Sequence, residues 1–220
     1  MNYLDQTGLA YFWDKIKQHV TDEVTPINEK VFQAHGSASV SVSPSIIEKG
    51  VSTKVAVKNT VTFSGATYTP LSVNLKKGDS SLSTTPNGSI DDTVNDTTTY
   101  TMDVTFITNV SKTVSGKVTA VYPMYFGGNA AITLDSSKIL AMTKQSLKTS
   151  PNGTYNVNVA QGNYMWLCIP SSMNINKVTS SGFDVPMESP STVAVTGKEN
   201  YKCYRSSSQF NAGTVNIVIS

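Results

Sequence analysis

The sequence predicts a mainly β fold: an N-terminal helical segment, an immunoglobulin-like β-sandwich, and a C-terminal β-sandwich with one short helix. Three observations carry this. Ser and Thr number 28 and 27 of 220 residues, beside 24 Val and a single arginine, Arg205, a palette of strands joined by polar turns. Apolar residues recur in steps of three and four over the first 33 residues and in steps of two over most of the rest. Turn residues separate the alternating runs at short intervals.

At 220 residues and 23.6 kDa the chain suits one or two domains. Only 15% of residues are charged against 39% hydrophobic, so hydroxyl side chains must dress much of the surface. With 17 basic and 15 acidic residues the net charge is +2, which gives no electrostatic case for nucleic acid or an anionic membrane. No run approaches the roughly 20 apolar residues of a membrane span. The opening has an acid at Asp5 and no basic n-region, so it does not read as a secretory signal. The expectation is a chain folded in the cytoplasm where it is made, with Cys168 and Cys203 as reduced, buried thiols.

Leu9, Phe12, Trp13, Ile16, Val20, Val24, Ile27 and Val31 share one helical face by their spacing. Asp5 or Thr7 can cap the start, since a short side-chain oxygen accepts the free amides of a first turn. Thr25-Pro26 interrupts the pattern, and proline suits a first turn because it lacks an amide hydrogen. The spacing therefore predicts a helix to about Val24 and a second piece from Pro26. Without Phe12 the stripe is narrow and close to a heptad seam, so residues 1–33 read as an anchoring and oligomerisation segment.

Over residues 37–121 the period is two. Val40 and Val42, then Val55, Val57, Val61 and Phe63, then Leu71, Val73 and Leu75, then Tyr100, Met102, Val104 and Phe106 alternate with polar residues, as in a sheet with one buried face. Turn signals stand at Ser43-Pro44, Lys49-Gly50, Lys77-Gly78-Asp79, Pro86-Asn87-Gly88 and Ser115-Gly116. This many short strands in so short a segment predicts an immunoglobulin-like sandwich.

Residues 122–220 read as a second β domain. Strands are expected at 154–159, 163–169, 174–179, 192–196, 201–205 and 214–219. The run Tyr164-Met165-Trp166-Leu167-Cys168-Ile169 is apolar on both faces, which predicts a central strand covered on both sides. From Asp135 to Leu147 the alternation breaks. Ile139, Leu140, Met142 and Leu147, behind a cap at Asp135 or Ser136, predict a short helix against the sheet.

Catalytic chemistry has little to work with. The two histidines, His19 and His35, lie in or just after the helical segment, so a nucleophile–histidine arrangement would need one of them folded back onto a β domain. A zinc site would need His19, His35, Cys168 and Cys203 to converge without any ligand spacing. Two small buried hydrophobes on neighbouring strands explain the cysteines better. Asp91, Asp92 and Asp96 lack the spacing and central glycine of a calcium loop. Ser115-Gly116-Lys117 lacks the upstream glycine of a phosphate loop. Asp135, Asp184, Glu188 and Glu199 stand beside turn residues or in a capping position and read as solvated charge. The reading is no enzyme, no cofactor and no metal. Tyr122, Tyr125, Phe126, Tyr164, Trp166, Tyr201 and Tyr204 are concentrated in the C-terminal domain, where most fall within strands and read as core. Tyr125 and Phe126, just before Gly127-Gly128, stand out as candidate ligand contacts.

Tyr3-Leu4-Asp5-Gln6-Thr7-Gly8-Leu9 followed by Tyr11-Phe12-Trp13-Asp14-Lys15-Ile16-Lys17 resembles the leader of virion proteins from tailed phages of gut bacteria, crAss-like phages among them. Val42-Ser43-Pro44-Ser45 with Glu48-Lys49-Gly50 looks like the first two strands of bacterial and phage immunoglobulin-like modules. Tyr122-Pro123-Met124-Tyr125-Phe126-Gly127, Gly162-Asn163-Tyr164-Met165-Trp166 with Ile169-Pro170, and the stretch from Tyr201 through Tyr204-Arg205 to Gly213-Thr214 look like a terminal fibre module. The resemblance implies a non-enzymatic virion structural protein, a head or tail fibre or decoration, that projects from the particle. It implies that the stripe from Leu9 to Val31 contacts the virion or sister chains, as a homo-oligomer with a trimer favoured. Other virion proteins and a host surface glycan are the further partners expected, with neither nucleic acid nor membrane insertion. A monomeric carbohydrate-binding or adhesin module is the alternative, and a β-sandwich glycan hydrolase a lesser one.

Overall fold

Helical periodicity at the start yields a single element, α1, Gln6–Gln33, in the computed structural model. The structure describes the backbone of residues 6–33, 36–63, 69–106 and 110–220, and side chains for all of these except 6 and 25–33. Two expectations change in α1. Thr7 lies inside the helix instead of capping it, and Asp5 lies outside the described residues. The helix also continues through Thr25-Pro26 where two pieces were expected. Proline removes one hydrogen bond, and a helix of 28 residues keeps enough of its ladder on both sides to absorb that loss.

The chain folds into two compact units, residues 1–45 with 54–118, and residues 46–53 with 119–220. Its first eight strands are β1 (Ser37–Ser43), β2 (Ile46–Glu48), β3 (Thr53–Thr62), β4 (Ser72–Lys77), β5 (Ser80–Ser83), β6 (Gly88–Val94), β7 (Thr98–Thr105) and β8 (Ser111–Val121). They form a three-stranded sheet, β1-β3-β6, and a five-stranded sheet, β2-β8-β7-β4-β5, the two-sheet arrangement of a β-sandwich. The predicted alternation becomes the core: Val55, Val57 and Val61 from one sheet, and Val73, Leu75, Tyr100, Met102 and Val104 from the other, are all buried. Gly116 of β8 permits close contact between elements, because a Cβ there would lie 2.9 Å from the carbonyl oxygen of Val40 in β1. The Tyr100 hydroxyl donates to Asp92 Oδ2 at 2.6 Å, tying β7 to β6. The turn before β6 is held by Asn59, whose Nδ2 donates to the Thr85 carbonyl at 2.7 Å, and by Asn87, whose Oδ1 accepts from the Val61 amide at 2.9 Å.

The second unit adds β9 (Tyr125–Asn129), α2 (Ser136–Leu140), β10 (Thr143–Lys144), β11 (Gly153–Val159), β12 (Asn163–Pro170), β13 (Val178–Ser180), β14 (Phe183–Asp184), β15 (Ser191–Ala194), β16 (Asn200–Phe210) and β17 (Gly213–Ile219). A five-stranded sheet in the order β10-β9-β12-β16-β15 faces a four-stranded sheet in the order β11-β17-β13-β14. Phe126, Met165, Leu167 and Ile169 pack with Tyr155, Val157, Ile217 and Ile219 between them. The alternate residues of β12, Trp166 and Cys168, bury on its outer face with Tyr125, Ile139, Tyr201 and Cys203. The central, doubly covered strand is therefore β12, with β9 on one side and β16 on the other.

Three expectations in this unit are corrected. The helix of 135–147 is only α2, capped by Asp135, whose Oδ1 accepts from the Lys138 amide at 2.9 Å. It stops because Thr143 and Lys144 pair with Phe126 and Tyr125 as β10. The strand β9, Tyr125–Asn129, is not among the expected strands. Finally, Ile46–Thr53 lies within the predicted immunoglobulin segment yet belongs to the second unit. There β2 runs parallel to Thr119–Val121, the end of β8, and the division falls inside β8 a few residues before the predicted boundary at 121/122.

Candidate functional site

In α1, Leu9, Phe12, Trp13, Val20 and Val24 are between 44% and 54% exposed, and Ile16 is half-buried. The side chains of Ile27 and Val31, the last two residues of the predicted stripe, lie outside the described residues. Polar neighbours are occupied along the helix itself: Lys17 pairs with Asp14 at 3.7 Å, Gln18 donates to Asp22 at 2.8 Å, and the Lys15 ammonium lies 5.5 Å from the Tyr11 ring centroid. The result is a line of large apolar side chains open to solvent beside charged residues that engage one another.

Tyr125 and Phe126 are not surface contacts. Tyr125 is buried on the outer face of the five-stranded sheet, its ring 6.0 Å from that of Tyr201, and Phe126 is buried between the sheets in an edge-to-face contact with Tyr155 at 4.9 Å. The glycines after them serve packing. A Cβ on Gly128 would lie 2.9 Å from the Val159 Cα, so β11 can approach β9 only because that position has no side chain. The exposed aromatic of this unit is instead Phe183, 79% exposed, at the tip of the β13–β14 hairpin.

The acids resolve into ion pairs and caps. Asp91 pairs with Lys54 at 2.8 Å, and Asp96 accepts from the Thr97 amide at 2.7 Å. Burial pushes the Asp92 carboxyl up, but hydrogen bonds from Lys77, Tyr100 and the Thr93 amide outweigh it and hold the group below the usual carboxylate range. Asp184 pairs with Lys177 at 2.8 Å, and Glu199 accepts from Ser171 and Ser172 at 3.4 Å each. No cluster of three His, Cys, Asp or Glu residues suited to a metal occurs among the described residues. Cys168 and Cys203 are free, buried and directly opposed across β12 and β16. Burial, then the neighbouring Cys203 thiol, pushes the Cys168 thiol far up, which keeps it protonated and unreactive. His19 is an exposed helix residue, and His35 lies outside the described residues.

Glu48 holds two lysine ammonium groups on one carboxylate. Lys144 donates to one oxygen and Lys198 to the other at 2.8 Å, and the ammonium groups of Lys198 and Lys49 lie 5.7 and 5.9 Å from the Tyr122 ring centroid. Burial raises its carboxyl, and the two lysines more than reverse that.

Two cavities flank the segment from Pro186 to Ser189. One of about 480 Å³ is lined by Ile175, Val178, Val185, Met187 and Tyr204 with polar groups that include the paired Lys177 and Asp184. The other, of about 260 Å³, is lined by Ile132, Trp166, Glu188, Ser189, Ser191, Cys203 and Arg205. Trp166 and Arg205 are directly opposed in the β12–β16 ladder, and the Arg205 guanidinium lies 4.6 Å from the Tyr164 ring centroid. Neither Trp166 Nε1 nor Arg205 Nε, both closed to solvent, has an acceptor among the described residues. Sequence reading missed this grouping because it depends on register: nothing in the spacing of 166, 189, 191 and 205 brings them together. The one available signal was the lone arginine. Comparison of the chain with known protein families, with curated proteins and with solved structures finds no match to any of them.

Proposed function

We propose that the chain is a non-enzymatic structural protein of a phage virion, a head or tail fibre or decoration component. It docks through α1 and presents its second sandwich as an adhesive head. The observation that carries this reading is the exposed stripe of Leu9, Phe12, Trp13, Val20 and Val24. An apolar line of this length on a single chain is the signature of a surface kept for a partner. Its near-heptad spacing suits self-association, with a trimer favoured, and neighbouring virion proteins are the other partners. Identical heads held together raise avidity for a host surface glycan without requiring a strong single site. The outer cavity of the second sandwich favours one further reading, a monomeric carbohydrate-binding module.

Light scattering on the intact chain and on a chain lacking residues 1–33 separates the two readings. The fibre reading predicts an oligomer that becomes a monomer on truncation. An intact protein that already scatters at 23.6 kDa would leave the monomeric module.

A further inference from the structure

The two cysteines face each other across the centre of the second sandwich, Cys168 of β12 directly opposite Cys203 of β16. The register around them is unbroken from Trp166 and Arg205 to Pro170 and Tyr201. Two backbone bonds fix which kind of pair they form. The Ser171 amide donates to the Asn200 carbonyl at 2.9 Å, so 171 and 200 are a hydrogen-bonded pair, and the alternation of an antiparallel ladder gives 169/202 and 167/204 the same character. The Glu188 amide donates to the Arg205 carbonyl at 2.7 Å, which turns the backbone of Arg205, and two residues earlier that of Cys203, away from β12. Both bonds therefore put Cys168 and Cys203 at a non-hydrogen-bonded position, where opposed Cα atoms stand about 4.5 Å apart and side chains come closest. That separation falls within the roughly 4.4–6.8 Å that a disulfide spans, and both side chains leave the sheet on its outer face.

We propose that Cys168 and Cys203 are a latent cross-strand disulfide, left open when the chain folds under reducing conditions and closed when it folds, or reopens, beside a small disulfide oxidant such as oxidised glutathione. The step balances by thiol–disulfide exchange. One cysteine thiolate attacks the oxidant, forming a mixed disulfide and releasing one thiolate. The other attacks the protein sulfur of that mixed disulfide, forming the Cys168–Cys203 bond and releasing the second. The pair gives up two electrons to the oxidant, and the two protons it loses end on the two released thiols. Folding decides when this can happen. In the folded unit both thiols are buried among Tyr125, Ile139, Trp166 and Tyr201, and burial with the neighbouring thiol holds Cys168 protonated. Exchange therefore needs the β12–β16 ladder open, and the ladder keeps whichever state it closes over. The bond closes the loop 169–202, which carries β13, β14 and β15, so it restrains the unfolded chain at little cost to the folded one. The inference stands on the ladder alone and is independent of the virion reading.

The test unfolds the full chain in urea and refolds it by dilution, once with dithiothreitol and once with oxidised glutathione, then compares urea unfolding of the second unit in the two products. Refolding with the oxidant should give a chain that has lost two hydrogens by intact mass and carries neither a free thiol nor a glutathione. Its urea midpoint should lie about 1 M or more above that of the reduced product, and dithiothreitol present during unfolding should abolish the difference. Folded, reduced protein held in the same oxidant should keep both thiols long after the unfolded chain has lost them. Cys203→Ala and, separately, Cys168→Ala should show no oxidant-dependent rise in midpoint. Two free thiols after refolding, or a glutathione adduct as the main product, would overturn the proposal. So would a cross-linked chain whose midpoint equals or falls below the reduced one, because the folded ladder would then not fit the bond. Oxidation of the folded chain as fast as of the unfolded chain would overturn it too, since the ladder would not then hold the state over which it closed.

Discussion

Glu48 holds two lysines on one half-buried carboxylate, so its replacement tests how much a single residue contributes to the second sandwich. Glu48→Gln leaves Lys144 and Lys198 without a counter-charge, and the loss of two charge-assisted hydrogen bonds should cost about 1.5–3 kcal/mol in urea unfolding of that unit. The pH dependence has a definite sign. Burial raises the Glu48 carboxyl and the lysines lower it further, so its folded value lies below the ordinary glutamate range. The stabilisation is then complete above that range and fades as pH falls through the lowered value, giving wild type an acid-limb loss that Glu48→Gln lacks. Gly128→Ala tests close approach. Its Cβ would meet the Val159 backbone at 2.9 Å, and overpacking of this kind costs about 1–3 kcal/mol, read as a lower urea midpoint for the second unit. The same residue shows where sequence reading failed. Glycine in a strand and glycine in a turn look alike until the facing strand is known, so Gly127-Gly128 hid β9 and made Tyr125 and Phe126 look like loop aromatics.

Elements were legible wherever periodicity was long. The helical stripe, the alternating valines of β3 and the doubly apolar β12 each repeat over enough residues to fix their type, and in β3 and β12 burial follows that pattern. Short pieces such as β2, β10 and β14 owe their strand state to a partner elsewhere in the chain, and no local signal announces them. The candidate cavity was illegible for the same reason, since register places Trp166 opposite Arg205 and the entry into β15 brings Ser189 and Ser191 beside them. For α1 the prediction follows from exposure. Trp13 is 54% exposed, so Trp13→Ala should leave urea unfolding of both sandwiches within about 0.5 kcal/mol of wild type. At an interface hot spot the same truncation costs at least about 2 kcal/mol, which should dissociate the oligomer or strip the protein from purified particles. Virions that carry a full complement of Trp13→Ala protein would remove α1 from the docking role.

At the scale of the whole molecule, sequence order and structural unit disagree over Ile46–Thr53, and that disagreement can be measured. These residues lie between β1 and β3 in the chain yet belong with residues 119–220. Ile47 is fully buried there, and burying such a side chain stabilises by about 1.5–3 kcal/mol. Glu48 adds the contribution argued above for its two lysines. A fragment of residues 119–220, the division the sequence suggests to within a few residues, loses both contributions and strands Lys144 and Lys198. The combined loss, about 3–6 kcal/mol, is a large part of the 5–15 kcal/mol that holds an ordinary domain together. With a urea slope of about 1–3 kcal/mol per molar, the fragment's midpoint should fall by at least about 1 M below that of the second unit in the intact chain. Joining residues 46–53 to the fragment through a flexible Gly/Ser linker should recover most of the difference, and the same joined segment carrying Glu48→Gln should recover less. A fragment as stable as the unit in the intact chain would show that β2 contributes nothing to it.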